Sequence, residues 1–258
     1  METWVIKYGG AAMVDSAYRQ AFLNGLKAYE HQGIQPILVH GGGPKISEWE
    51  RKLGREPRFL QGLRVTDAEG MELAEMILSG LVGHELVAAL QDVGLQAVAL
   101  SGRDGGLVQA EPIDEATLGH VGEVTKVDVS LLRVLLQAGY LPVISPIGQG
   151  PKGPLNLNGD VMAAHLAITM RADALIFLTD VPGVKVDGAF QSRLAIEELP
   201  ELMAKAQLTG GMIPKVTSAA RAVMQGVGRV MIVDAKQFDL AHDWQQMGTQ
   251  LTKKVAVS

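Results

Sequence analysis

Cysteine is absent from all 258 residues, which excludes disulfides, thiolate metal sites and cysteine nucleophiles together. Charge of one sign is scarce as well. The formal net charge is −5, with no long run of like charges, so neither a nucleic-acid-binding nor an anionic-membrane surface is expected. No stretch of about 18 consecutive apolar residues offers a membrane-spanning helix. The opening METWVIKYGG lacks the basic-then-apolar pattern of a signal peptide. These absences imply a soluble, cytoplasmic protein without nucleic-acid or membrane partners. Histidine is sparse, six in all, and scattered, so the six read mostly as surface or turn residues and no metal centre is expected. No G-x-x-x-x-G-K-[ST], H-E-x-x-H or G-x-S-x-G occurs. A G-x-G-x-x-G does occur at Gly148, Gly150 and Gly153, but Pro151 and Pro154 interrupt it and no helix opens on it. It reads as a hairpin turn, not as a dinucleotide site.

What is present is 47% hydrophobic residue, arranged in short runs that alternate with longer amphipathic segments. Candidate strands lie at 4–8, 36–40, 97–101, 141–145, 174–179 and 229–233. They are nearly continuous in apolar residues, as expected where both faces of a parallel sheet are covered. Helical patterns lie between them at 16–31, 44–53, 67–93, 130–138, 160–170, 196–206, 214–225 and 238–247. Polar, glycine-rich insertions at 107–126 and 148–160 predict hairpins. The fold class is α/β: a three-layer αβα sandwich around a mainly parallel open sheet, in two lobes, 1–172 and 173–258, that share the sheet.

Four strand ends carry glycine with polar neighbours: Lys7-Tyr8-Gly9-Gly10, His40-Gly41-Gly42-Gly43, Ser101 to Gly106, and Thr179 to Gly183. In open α/β sheets ligands bind beyond the carboxyl ends of strands, and glycine there lets backbone N–H groups face an anion. Each alone is explained by a tight turn; their number points to a phosphate-bearing ligand. Lys7 lies inside an apolar strand, where a lone charge is costly unless it is paired or reaches the open end. Lys215, in TGGMIPKV, opposes the dipole at a helix start unless an anion is also bound. Asp160 reads as an N-cap, or as a carboxylate held between the two lysines. Arg64 offers a planar fork for a carboxylate, or is an ordinary surface arginine. Asn156 and Asn158 alternate on an extended segment and so share a side.

These motifs resemble the amino acid kinase family across the whole chain, in order: IKYGG, VHGGGPKI, GLRVTD, LSGRDGGL, LNLNGD, LTDVPGV and GGMIPKV. The combination of GLRVTD, LNLNGD and GGMIPKV is similar to members that act on N-acetyl-L-glutamate in arginine biosynthesis. The resemblance implies transfer of a phosphoryl group from ATP, with Mg²⁺, to the γ-carboxylate. It implies catalytic roles for Lys7, Lys215 and Asp160, and acceptor binding by Gly42, Gly43, Arg64 and Asn156. Nucleotide binding would fall to Gly9, Gly10, Thr179, Asp180 and Gly211, with the acceptor in the N-terminal lobe and ATP in the C-terminal one. A homodimer is implied, and the start close to the first strand suggests insensitivity to arginine. Two positions depart from the pattern: Gly83-His84 stands where relatives have Asn-Lys, and Gly159 where Ala is usual.

Overall fold

Near-continuous apolar strands need cover on both faces, and in the computed structural model, which describes residues 1–9, 13, 16–238 and 247–254, they have it. In chain order come β1 (Glu2–Tyr8), α1 (Ser16–His31), β2 (Ile34–His40), α2 (Gly43–Lys52) and the hairpin β3 (Phe59–Leu60) with β4 (Leu63–Arg64). A continuous rod follows, formed by α3 (Ala68–Glu75), a π-helical stretch (Met76–Val82) and α4 (Gly83–Asp92). Next are β5 (Ala97–Ser101), β6 (Val108–Pro112), β7 (Val121–Val127), α5 (Ser130–Gln137), β8 (Leu141–Ser145), β9 (Ile147–Gly150), β10 (Gly153–Leu157) and α6 (Gly159–Met170). The chain continues through β11 (Ala174–Thr179), β12 (Lys185–Val186), β13 (Ala189–Phe190) and β14 (Arg193–Ala195). It ends with α7 (Leu199–Ala204), α8 (Met212–Met224), β15 (Arg229–Asp234) and β16 (Thr249–Thr252).

Eight strands pair in the order β14-β16-β15-β11-β1-β2-β8-β5. Every neighbouring pair is parallel except β15–β16. The expected α/β sandwich is therefore the observed one. The period-two alternation of strands sorts residues into two cores. Val5, Ile37, Val39 and Phe177 pack with Met162 of α6 and Val216 of α8. Trp4, Ile6, Tyr8 and Leu38 pack with Phe22 of α1 and Leu78 and Leu86 of the rod. By the same alternation Lys7 faces α6 and His40 faces the rod. The rod Ala68–Asp92 is long and apolar enough to cross a membrane by length and composition, yet half of its apolar window is buried in the molecule. It is a core helix, consistent with Met71, Ala74 and Leu90 in its buried stripe.

Both expected hairpins form, β6–β7 and β9–β10. They then close on each other through β7–β10 and β6–β9 into a four-stranded barrel. Local alternation marks each hairpin, but the closing pairs are distant in sequence and leave no periodic trace. The helix expected over 196–206 is shorter: a 3₁₀ turn at Ile196–Glu198 leads into α7, with proline in its first turn. The helix expected over 238–247 lies mostly outside the described residues.

One buried hydroxyl ties the last strand to the hairpin β12–β13. Thr249 is fully buried; its Oγ1 accepts from Val184 N at 2.8 Å and donates to Gln191 O at 2.5 Å. Thr249→Val keeps the shape and orphans both groups, so unfolding stability should fall by about 1–3 kcal/mol. Urea unfolding checks this, and Thr249→Ser should recover most of the loss.

Candidate active site

The parallel strands end together, and β1, β2, β11 and β15 bring Tyr8, His40, Thr179 and Asp234 to one edge of the sheet. Lys7 stands next to last on β1, facing α6. Its Nζ lies 3.1 Å from Asp160 Oδ1. Lys215, in the first turn of α8, donates to Asp160 Oδ2 at 3.0 Å. The two ammonium groups, 208 residues apart in sequence, thus meet on one carboxylate. Lys7 is 8% exposed and Asp160 4%. Burial and the neighbouring Lys215 hold Lys7 below the usual lysine range, against the pull of Asp160. Burial pushes the Asp160 carboxyl up, but the two lysines outweigh it and hold it below the usual carboxylate range. Asp160 is not the N-cap. Asn158 is, accepting from Asp160 N and Val161 N, which leaves the aspartate oxygens for the lysines.

At two glycines a Cβ would force a neighbouring side chain to move. A Cβ at Gly9 would lie 2.7 Å from the Lys7 ammonium. At Gly42, φ is 154° and a Cβ would lie 2.4 Å from Leu78 Cδ2 of the rod. Gly42 caps α2 and Gly43 is its first residue, so helix geometry leaves their N–H groups without intrahelical partners. Gly159, the first residue of α6, sits with its Cβ direction 3.3 Å from Lys7 Cε. Alanine there would ask only a small shift of a flexible side chain.

Arg64 is not a surface arginine. It is 9% exposed, and its Nη1 pairs with the buried Glu50 of α2. Nη2 donates to Gly43 O at 2.9 Å and to Ser47 Oγ at 2.7 Å. The guanidinium lies 4.7 Å from the Phe59 ring centroid. Burial draws its pKa below the usual value, partly offset by Glu50. Asn156 on β10 is brought close: its Nδ2 donates to Thr66 Oγ1 at 3.2 Å, and Thr66 Oγ1 donates to Arg64 O at 2.8 Å. Glu50 and Ser47 were not singled out from sequence. The readable signal was Glu50 four residues after Ile46, on the helix's buried face.

Thr179 and Asp180 close β11, with Thr179 Oγ1 donating to Asp180 Oδ1 at 3.2 Å. Gly211 caps α8. Gly10 lies outside the described residues. A cleft of about 840 Å³ runs beside α6 and α8, lined by Leu63, Val124, Asn158, Val161 and Gly211 among others. The Ser101–Gly106 loop is occupied internally. Ser101 N and Oγ donate to Asp104 Oδ2, while Arg103 donates to Gln149 and pairs with Glu75. Its polar groups brace the barrel against the rod. Among the described residues no group of three acidic or histidine side chains could hold a metal ion.

His40 departs from the expectation of surface histidines. It is fully buried. Its Nδ1 donates to Gly41 O at 2.7 Å, which leaves Nε2 with a lone pair facing the space beside Gly83. Burial, with a smaller push from the Lys7 charge, brings its pKa down to about 4.

A model of the amino acid kinase family matches residues 2–234. The chain is 44% identical over 248 residues to acetylglutamate kinase from Symbiobacterium thermophilum, covering 91% of this chain and 85% of that one. It is 43% identical to acetylglutamate kinase from Geobacillus kaustophilus, covering 99% and 98%. Among solved structures, that of smu.665 from Streptococcus mutans UA159 superposes with a TM-score of 0.87 at 33% identity, covering 98% and 99%.

The depressed His40 pKa carries a stability consequence. The folded ring stays neutral down to about pH 4, whereas the unfolded ring takes up a proton near pH 6.5. Stability is therefore full above 6.5 and is lost as pH falls from there to about 4, by roughly 3 kcal/mol. His40→Leu removes that component. The stability difference between wild type and variant should shift by about 2–3 kcal/mol in the variant's favour between pH 7 and pH 4.5, read by urea unfolding. A difference independent of pH would mean that the ring is charged or hydrated in the folded state.

Proposed function

The chain belongs to the amino acid kinase family, and on that premise we infer that it transfers the γ-phosphoryl group of ATP to the γ-carboxylate of N-acetyl-L-glutamate, a step of arginine biosynthesis. The observation that carries the reading is the pair of lysine ammonium groups on Asp160. Nothing in the reaction needs a general base, because a glutamate-type carboxylate with a pKa of about 4.3 is ionised at neutral pH. One of its oxygens attacks the γ-phosphorus, and the bond from that phosphorus to the bridging β–γ oxygen breaks. ADP keeps the electron pair. The difficulty is to bring two anions together while charge spreads over the equatorial oxygens, and this is met by fixed cations and N–H donors.

In this reading Lys7 and Lys215 bind the migrating phosphoryl group from the two sides, and Asp160 keeps them from drifting apart. Gly42 and Gly43 offer N–H groups to the acceptor, and Gly9 and Gly10 to the nucleotide. Arg64 and Asn156 hold the α-carboxylate and acetamido end. Thr179, Asp180 and Gly211 shape the nucleotide site in the lobe 173–258, and the lobe 1–172 takes the acceptor. Mg²⁺ would enter with ATP and supply charge neutralisation on the phosphates; among the described residues no group of three acidic or histidine side chains gathers to hold it. The enzyme works as a homodimer in the cytoplasm, without nucleic-acid or membrane partners.

A coupled ADP-release assay with ATP, Mg²⁺ and N-acetyl-L-glutamate tests the reading, with glutamate, aspartate and carbamate as competing acceptors. Turnover confined to the acetylated acid is expected; turnover on another acceptor alone would assign a sibling activity. Lys7→Ala and Lys215→Ala should each lower kcat by about 10²–10³ in a folded protein. Arg64→Lys preserves a charge opposite Glu50 but not the fork. It should raise KM for N-acetyl-L-glutamate about tenfold or more and leave KM for ATP unmoved.

A further inference from the structure

We propose that His40 is a positioning residue for this reaction: its ring holds the Gly41 carbonyl on the rod side of the sheet and thereby aims the Gly42 N–H into the active site. The inference rests on the kinase reading above for its chemistry, and on three observations for its geometry.

First, alternation along β1 and β2 places His40 and Lys7 on opposite faces of the sheet, Tyr8 pairing with His40 in register and Lys7 with Val39. The ring therefore lies away from the lysines, near Gly83 of α4 and Ala99 of β5. Second, the Nδ1–H donates to the carbonyl of the next residue at 2.7 Å. A peptide is planar and trans, so its C=O and N–H point in opposite directions. Drawing the Gly41 oxygen toward the rod turns the Gly42 N–H toward the face that holds Lys7 and α6. Third, among the described residues Gly41 O accepts no hydrogen bond other than the one from the ring. Gly42 has a φ of 154°, a value that favours glycine, and a Cβ there would run into Leu78 of the π-helical stretch. Backbone bonds from Gly41 N to Tyr8 O at 2.8 Å and from Ile46 N to Gly42 O at 3.0 Å hold the peptides on either side, so the peptide between them is the one whose orientation the ring decides. The ring supplies the tether, and a full second hydrogen bond is not needed for it: Nε2 is buried without a hydrogen-bond partner.

The effect is on catalysis because the donor must sit where charge develops on the oxygens of the acceptor and the phosphoryl group. A donor turned away is lost to the transition state, whereas the lysines still attract the ground-state anions.

The test separates the Nδ1 donor from mere filling of space. Asparagine carries its amide nitrogen one bond from Cγ, as imidazole carries Nδ1, so His40→Asn can still donate to Gly41 O. Glutamine carries its amide nitrogen one bond farther out and cannot, and leucine has no donor. Kinetics at pH 7.5 with thermal melts on the same samples should show kcat lowered about tenfold or more in His40→Leu and His40→Gln. KM for ATP should move less than threefold. His40→Asn should recover at least fivefold of the lost kcat, whichever variant is most stable. Wild-type kcat in a folded His40→Leu protein, or equal losses in all three variants that track their melting temperatures, would overturn the proposal. If the wild type itself fails to turn over N-acetyl-L-glutamate, the kinase assignment fails separately. The His40 inference is then read from calorimetric binding of ADP, Mg²⁺ and tetrafluoroaluminate, a mimic of the transferring phosphoryl group, together with glutamate-type acceptors. Weaker ternary binding in Leu and Gln than in Asn supports it, and equal binding in all three refutes it.

Discussion

Everything at the open edge of the sheet depends on one buried carboxylate between two ammonium groups. Asp160 is almost fully covered, and it carries one negative charge against the two positive charges of Lys7 and Lys215. The cluster therefore holds an excess positive charge in a setting where each unpaired ion costs several kcal/mol of desolvation. Such a cost is tolerated where a ligand supplies the missing anion. In the proposed reading a phosphate or phosphoryl group does so, and more fully as charge accumulates on its equatorial oxygens. The same arrangement that is costly in the empty protein thus becomes most favourable in the transition state, as differential binding demands.

The fold determines where that cluster can form. Parallel strands end in register, which lines up Lys7, His40 and Thr179 at one edge. Alternation then points Lys7 toward α6, whose N-cap is made by Asn158 and not by the aspartate two residues later. A carboxylate engaged in capping would have its oxygens committed to backbone N–H groups. Because the cap is supplied by its neighbour, Asp160 can be buried, ionised and bidentate toward two different elements. One of those elements, α8, arrives from the far end of the chain. Fixing its first turn over α6 is what brings Lys215 within 3.0 Å of the carboxylate.

Much of this was legible before any coordinates. Continuous apolar runs marked the six principal strands, because burial on both faces writes itself into consecutive residues. Lys7 and Lys215 stood out since each is expensive where it sits. Other parts were hidden for physical reasons. The barrel depends on pairings between two distant hairpins, and both hairpins look the same whether or not they close. Arg64 looked like a solvated arginine because its partners, Glu50 and Ser47, lie on a helix whose charged residues also read as surface. His40 ends an apolar strand and opens a glycine motif, and nothing in that pattern marks its ring as buried.

The Arg64 arrangement also bears on how an acceptor is chosen. Nη1 pairs with Glu50, and Nη2 is shared between Gly43 O and Ser47 Oγ, so three of the five guanidinium donors are engaged. A free arginine fork would take any small carboxylate bidentately with little regard for its shape. One whose plane is fixed by a buried glutamate keeps only the Nε hydrogen and one Nη1 hydrogen free; these diverge, so they do not form a parallel fork for a carboxylate. In the proposed reading, selection among amino acids rests on whether a second polar group, such as an acetamido carbonyl, reaches Asn156 while the carboxylate meets one arginine donor at a time. The bond from Nη2 to Gly43 O links this choice to chemistry, because in that reading Gly43 belongs to the loop whose N–H groups serve the acceptor. A poorly seated acceptor would disturb the arginine, and through that carbonyl the loop that must be in place for transfer.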